Sequence, residues 1–472
     1  SLNHIIMLKS LTNVVVSFGM GRIKAGVLVT MSLLSFSSKA DTPFYMGDEL
    51  DNCFAILAGK NITADGSVLL AHNEDDSGEQ MVNIYLTQPE QGIAQYFWCE
   101  LPKQTNSDSF FNKYGVAVAS DYCPSIEDRR DYTDGGTVYL VRKTVAERAR
   151  TAREGVKVAG EVVERLGYND TGRTYLIADA DEAWMISVMR GRHWVAQRIP
   201  DDKVVAIPNN YVIDKINLAD TVNFMACDSL IEYAVERGWY DSAKDGDFSF
   251  KRVYGREDRY RADHNVLRHR SALQTLTGNE FSTDPDTYPF SFDPKHKVTV
   301  EDMIEALSSH KSETDTCHVG LICSDCTVYS TIFQLRKPTA EMLPEVANVM
   351  WLCIGHPCTE PYIPWYLGMT EAPENFGRYK SYKTAQEQHF KDTKDFRKNY
   401  PDGYYWKVVD RFDVLNKDWS NLSPAAKDSK NKLQKQILDN QEVFENSLVG
   451  VKGQKLADIL NNYASDWYGK IK

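Results

Sequence analysis

The chain has 472 residues, 42% of them hydrophobic and 25% charged, the balance of a water-soluble globular protein with room for one to three domains. Its net charge of −12 excludes a protein built to hold nucleic acid, whose phosphates select a basic surface. Aromatic residues make up 11%, including 25 Tyr and 9 Trp, enough to pack sheet faces and line a cleft.

In chain order, Gly21-Arg22-Ile23-Lys24 precedes an apolar run from Ala25 to Phe36, and Ser38-Lys39-Ala40 follows. A charged start, a short apolar core and a small-x-small end make a secretory signal, too short to span a bilayer, with cleavage after Ala40. Met20 or Met7 reads as the initiator, and the residues before it as a start-site artefact. Export to a secreted or periplasmic location follows, with no stable membrane insertion once the signal is gone. Residues 41–52, short and acidic, read as a linker or propeptide.

The stretch Cys53 to Asp76 then combines a cysteine, two apolar runs and the polar cluster His72-Asn73-Glu74-Asp75. Period-two reading predicts strands over Phe54–Ala58 and Val68–Ala71, joined at Asp65-Gly66, where Gly accepts the positive φ of a tight turn. That hairpin brings the cysteine beside the polar cluster, as a catalytic site requires. A buried structural cysteine next to a solvated acidic loop is the competing reading. In the latter, Glu74 faces water, as most carboxylates do.

Strands are expected over 81–87, 95–98 and 115–119, the last opening onto Ser120-Asp121-Tyr122. A helical segment follows Gly135-Gly136, runs through ERARTARE at 147–154 with i,i+4 charge pairs, and precedes a second helix, 155–166, capped by Gly167. Strands return over 174–179, 183–189, 193–198 and 204–207, the last delivering Pro208-Asn209-Asn210. Helices are expected around 228–237, 268–275 and 300–308, where Thr299 is the N-cap, and strands over 327–335 and 349–353. Trp184 and Trp194 read as core. Beyond residue 376 the chain becomes rich in Lys, Asp, Gln and Asn, with helical spacing over 424–447 and 453–468. Strands and helices without regular βαβ alternation predict an α+β fold of layered sheets.

The nine cysteines are 53, 99, 123, 227, 317, 323, 326, 353 and 358. Export permits disulfides, and five of the nine crowd residues 317–358, but spacing does not give connectivity. Cys317-His318 with Cys323 and Cys326 is half of a zinc-knuckle pattern; the reading kept here needs no metal and no cofactor.

A nucleophilic cysteine needs a base, because a free thiol titrates near about 8.5. No Cys-His motif is local. An N-terminal cysteine supplies its own base, since an α-amine titrates at about 7.7–8.0. This requires a cut between Asn52 and Cys53, which the thiol itself can make by attacking the Asn52 carbonyl.

With Cys53 and AGKNITADGSVLLAHNED, then NKYGVAVAS, ERARTARE, YLIADADEAWMISVMRGRHWVAQRIPDD, IPNNYVI and FQLRKPTAEMLPEVANVMWLCIGHPCTEPYIPWYLG in order, the chain resembles the dipeptidase A family, peptidase family C69, of N-terminal nucleophile hydrolases. The resemblance implies a four-layer αββα sandwich over 53–375, a helical C-terminal extension over 376–472, and a self-processing cysteine peptidase acting on dipeptides or short peptides. It implies that Cys53 is the nucleophile, that Asp75 holds the free amine and substrate polar groups, and that Asn209 helps form the oxyanion hole. Substrate-binding positions are His72, Asn73, Asp121, Arg268 and Arg270. His72 stands where the related bile salt hydrolases carry arginine, and neither Ser120 nor Asp121 is the second oxyanion asparagine of that branch. Both departures argue against acylase specificity. Taken without the resemblance, His72 is a hydrogen-bonded strand-end residue, Asn209-Asn210 is a turn, and Arg268-His269-Arg270 is a solvated helix face. An acylase of the same fold and a secernin-like binding protein without turnover are the alternatives. A homo-oligomer is compatible with the sequence.

Overall fold

A computed structural model describes residues 53–76, 81–105, 108–310, 321–391 and 395–471. The signal and propeptide segments and the Cys317-His318 pair lie outside them. The described residues form one compact unit.

The first hairpin pairs β1 (Phe54–Ala58) with β2 (Val68–Asp75), antiparallel, with Phe54 opposite Asn73 and Ala58 opposite Leu69. Its connection is longer than a tight turn. Thr63 bridges to Val298, and Asp65 Oδ1 accepts from the backbone N–H and hydroxyl of Ser67. Gly66 sits at φ +75, where a side chain is strained. β2 runs four residues past its expected end, so His72 through Asp75 are strand residues, not a loop.

Next come β3 (Asn83–Leu86), β4 (Tyr96–Glu100), β5 (Ser109–Asn112) and β6 (Ala117–Tyr122), then α1 (Leu140–Arg148) and α2 (Ala152–Leu166). The ERARTARE stretch is not continuous helix, contrary to its charge pattern. Ala149 is extended, Thr151 accepts from the Glu154 N–H, and the Arg150 N–H donates to the Glu154 carboxylate. Thr-x-x-Glu is a helix-start signature, and it wins over the i,i+4 pairs. Asn112 accepts the loose end of α1 by donating to the carbonyls of Ala146 and Ala149.

β7 (Tyr168–Ala178), β8 (Ala183–Gly191), β9 (Trp194–Arg198), β10 (Val204–Ile207) and β11 (Phe224–Ala226) follow, then α3 (Leu230–Glu236), α4 (Phe250–Val253), α5 (Glu257–Tyr260), α6 (Asp263–Thr277) and α7 (Val300–Leu307). Thr299 and Asp302 close a full capping box on α7. β12 (Thr327–Leu335), α8 (Pro344–Ala347), β13 (Asn348–Ile354) and β14 (Ile363–Tyr366) complete the sheets. β14 carries Pro364, which a sheet tolerates at its edge, and an edge is where β14 lies. The helices α9 (Tyr382–Gln388), α10 (Phe396–Asn399), α11 (Tyr404–Asn416), α12 (Trp419–Ser447) and α13 (Gly453–Tyr468) end the chain.

The strands form two antiparallel sheets, β10-β1-β2-β12-β13-β14 and β11-β9-β8-β7-β6-β5-β4-β3. Their facing sides interlock: Phe111 of β5 meets Phe333 of β12 with ring centroids 5.4 Å apart, and Phe97 of β4 meets Trp365 of β14 at 6.1 Å. α1 and α2 cover the outer face of the eight-stranded sheet; α6 and α7 cover the six-stranded one. α2 packs tightly against β9 at Gly160, where an added Cβ would lie 2.4 Å from the Trp194 ring. The architecture is thus an α+β sandwich of four layers, helix-sheet-sheet-helix. Trp98, Trp184, Trp351 and Trp365 are among its fully buried side chains, each removing a large apolar area from water and stabilising the fold by roughly 2–3 kcal/mol.

Candidate active site

Cys53 stands immediately before β1, and the hairpin register sets it against the far end of β2. Successive strand residues point to opposite faces. On the face turned toward the second sheet, His72 Nε2 pairs with Asp121 Oδ1 of β6 at 2.9 Å, both side chains wholly buried. Glu74 shares that face. The Cys53 thiol donates to Glu74 Oε1 at 3.0 Å, and the hydroxyl of Tyr329 donates to Glu74 Oε2 at 3.5 Å. Glu74 therefore does not face water; it is fully buried. Arg142 of α1 and Arg173 of β7, both also bonded to the Ser120 hydroxyl, supply its countercharge.

On the opposite face, Asp75 accepts from the Ser324 hydroxyl at 2.8 Å and the Thr327 hydroxyl at 2.6 Å. The β2–β12 register shifts between Thr327 and Tyr329, a bulge of the sort that re-aims side chains beside active sites. Asn73 shares this face but donates to the carbonyls of Leu307 and Ile322. It ties β2 to α7 and is not brought to the thiol.

Arg268 is the hub joining the remaining residues. One guanidinium nitrogen donates to the Cys53 carbonyl at 3.1 Å; the other donates to Asn209 Oδ1 at 2.7 Å and Asn265 Oδ1 at 2.8 Å. Asn209 in turn donates one amide hydrogen to the Tyr122 carbonyl at 3.0 Å, leaving a second hydrogen on Nδ2. Arg268 is 1% exposed, so it is no solvated helix residue. Arg270, two positions on, points elsewhere and donates to the Phe281 carbonyl.

The structure thus gathers Cys53, His72, Asp75, Asp121, Asn209 and Arg268, and leaves Asn73 and Arg270 outside the cluster. It adds Glu74, Asn265, Ser324, Thr327, Arg142 and Arg173. Of these, Glu74 carried a signal through its period-two relation to His72, and Asn265 through its place three residues before Arg268 on a helix. A cavity of about 1200 Å³ along β3, β4 and residues 370–403 does not include Cys53.

Burial is the main electrostatic force here. It pushes the Cys53 thiol well up, and the carboxylates Glu74, Asp121 and Asp75 push it further, while the Asp75 backbone N–H opposes them. Burial likewise raises Glu74, against its bond to Cys53 and the two arginines. Asp75 is pushed up to about 6 by burial, partly offset by Thr327, Arg268 and Ser324. Arg268 is lowered to about 10 by burial, against Asp75, Asp121 and Cys53. Burial thus disfavours the anion on both members of the Cys53–Glu74 hydrogen bond. Carboxylates beside a thiol disfavour its anion, so Glu74 can assist attack only by receiving the proton as the new bond to sulfur forms.

A model of the family described as peptidase family C69 matches residues 137–394, more than half of the chain. The chain belongs to peptidase family C69. This C69 chain is similar to a probable dipeptidase of Latilactobacillus sakei, 25% identical over 376 residues that cover 70% of this chain and 76% of the relative. It is also similar to a probable dipeptidase B of Streptococcus pyogenes serotype M1, 23% identical over 426 residues covering 78% and 82%. Among solved structures it is similar to a penicillin V acylase from Agrobacterium tumefaciens, with a TM-score of 0.33 and 11% identity over 70% of this chain and 89% of that one. Membership places the chain among peptide hydrolases. The matched range begins beyond Cys53, so the match does not bear on the role of that residue.

Proposed function

We propose that this C69 chain is an exported, self-processing cysteine peptidase that cleaves dipeptides or short peptides with Cys53 as its N-terminal nucleophile. The observation that carries the reading is the buried Cys53 thiol bonded to Glu74, with its carbonyl fixed by the Arg268 that also holds Asn209. The names of the dipeptidase relatives support the substrate class. The apolar run 25–36 supports export.

Processing comes first. While Asn52 is joined to Cys53, the α-amine is an amide and cannot accept a proton. The thiol attacks the Asn52 carbonyl, Glu74 takes the thiol proton and passes it to the departing Cys53 nitrogen, and the C–N bond breaks. Water hydrolyses the thioester, leaving a carboxylate on Asn52 and a free amine on Cys53.

In turnover the freed amine takes over as base. It accepts the thiol proton as sulfur attacks the scissile carbonyl, then donates it to the leaving amine; water resolves the acyl-enzyme. The remaining Nδ2 hydrogen of Asn209 is suited to the oxyanion, a donor whose loss typically costs about 3 kcal/mol of transition-state stabilisation. Asp75 serves the amine and substrate polar groups. His72 and Asp121, paired to each other, shape the specificity side of the site.

Intact mass of the purified protein should show a chain beginning at Cys53, and incubation with dipeptides should release free amino acids. Cys53→Ala should retain residues 41–52 and release none. Full activity in that variant would sink the reading. The departure of Ser120 and Asp121 from an amide donor disfavours the acylase alternative, and a panel of dipeptides against N-acyl amino acids separates the two.

A further inference from the structure

Away from Cys53, three buried side chains converge from three connecting segments. His310 follows α7, Cys323 precedes β12, and Cys358 lies in the turn between β13 and β14. Their ligand atoms all lie within 4.8 Å of one another. Cys326, which the half-knuckle spacing pairs with Cys323, does not join them. Phe412 of α11 and Trp419 of α12 close the group from the C-terminal helices, with the His310 and Trp419 ring centroids 4.6 Å apart.

Two observations do not suit an ordinary apolar filling. The first is the histidines. Among the described residues, neither ring nitrogen of the buried His310 has a nitrogen or oxygen partner at hydrogen-bonding geometry, although Nε2 lies 3.5 Å from the Asp325 carboxylate and the ring borders the Cys358 sulfur. His356, two residues before Cys358, is held by Nε2 to the Asp325 carbonyl at 3.3 Å, and its buried Nδ1 has no partner among the described residues. Buried polar atoms without partners are rare and costly. The second is the pair of cysteines. Both are buried, and their sulfurs converge with the His310 ring inside walls formed by Phe412 and Trp419.

We infer that His310, Cys323 and Cys358 form a structural zinc site, with His356 as the adjacent candidate for the fourth position. Two thiolates and imidazoles are the donor set zinc selects. A carboxylate beside one nitrogen of a ligating histidine, as Asp325 lies beside His310, is the usual outer support. The ion would bind the two sulfurs as thiolates, take up one nitrogen of His310 and pin three segments together. It would also reach the catalytic cluster, since Ser324, next to Cys323, holds Asp75. The inference does not rest on the role of Cys53.

The test uses the full chain carrying Cys53→Ala, which removes the Cys53-His72-Glu74 group as a rival ligand set. Elemental analysis of protein purified without chelator should find stoichiometric zinc. Exchange for cobalt should give a thiolate-to-cobalt charge-transfer band with the intensity of two thiolates and the visible spectrum of a tetrahedral site. Cys323→Ser and Cys358→Ser should each lose half of the band or more. Should those variants fail to fold, a mercurial added to the intact protein should release the zinc to a colorimetric indicator. Protein that holds no zinc as isolated, nor after equilibration with zinc under reducing conditions, overturns the inference. So does peptide mapping that finds Cys323 and Cys358 joined as a disulfide.

Discussion

Glu74→Gln separates the two roles of the site. Gln keeps the volume and an acceptor oxygen for the Cys53 thiol, which now lies 3.0 Å away, but it cannot take a proton. In the precursor the α-amine is unavailable, so processing loses its base, worth about 10²–10⁴-fold. In the mature chain the α-amine replaces Glu74, and turnover should fall by no more than about tenfold, the worth of one neutral hydrogen bond. Processing is followed by intact mass during cell-free synthesis of the precursor. Turnover is measured on a chain started as Met-Cys53, whose Met is removed by aminopeptidase, so that processing is bypassed. Removing Glu74 also removes the second-ranked influence raising the Cys53 thiol, and alkylation of Cys53 at fixed pH should accelerate. Processing of the Gln variant at the wild-type rate refutes the assignment. An equal loss in both measurements refutes it too, because it marks a site distorted as a whole.

Burial holds the Asp75 carboxyl at about 6 against an ordinary 3.8. The folded protein thus binds this proton more tightly than the unfolded chain, so the group's stabilisation is full below about pH 4 and is lost as pH rises to about 6. The loss is on the order of 3 kcal/mol; urea midpoints of Asp75→Asn should lack that fall with pH. Arg268→Met should cost roughly 3–5 kcal/mol, because Asp75 and Asp121 lose their buried cation. Both urea midpoint and dipeptide turnover should collapse, and a wild-type turnover would argue against the hub. Thr299→Ala opens the capping box of α7 and should cost about 1 kcal/mol with turnover unchanged, measured on the same two assays.

The parts of the site that were legible in the sequence are those set by local chemistry. Cys53 beside a polar cluster follows from period two and a Gly turn. The αββα layering followed from the family resemblance, and the two sheets bear it out. Thr299 as a cap was readable from the residues alone. What was not legible depends on distant pairing. β2 continues through Asp75 because β12, about 250 residues later, pairs with it as far as Thr327. Nothing local distinguishes that extension from an acidic loop, so Glu74 read as solvated. Only the resemblance singled out Arg268; its pattern alone read as a surface charge, because its burial is created by Asn209 and the Cys53 carbonyl, both remote in sequence.

Two residues carried into the site by proximity within a motif fall out because of the face each occupies and the partners it meets there. Asn73 is one strand position from His72 and from Glu74, so it must face the other side of the sheet, where it meets Leu307 and Ile322. Arg270 is two helical positions from Arg268, a rotation of about 200°, which turns it away from any partner of Arg268. The same test applied forwards selects Glu74, which shares a face with His72, and Asn265, three residues before Arg268 on one helical stripe. Period alone does not settle membership, because Asp75 shares the Asn73 face and stays in the cluster through Ser324, Thr327 and Arg268. Period places the carboxylate that meets the thiol at Glu74, one residue before Asp75, the carboxylate the family motif assigns to the amine.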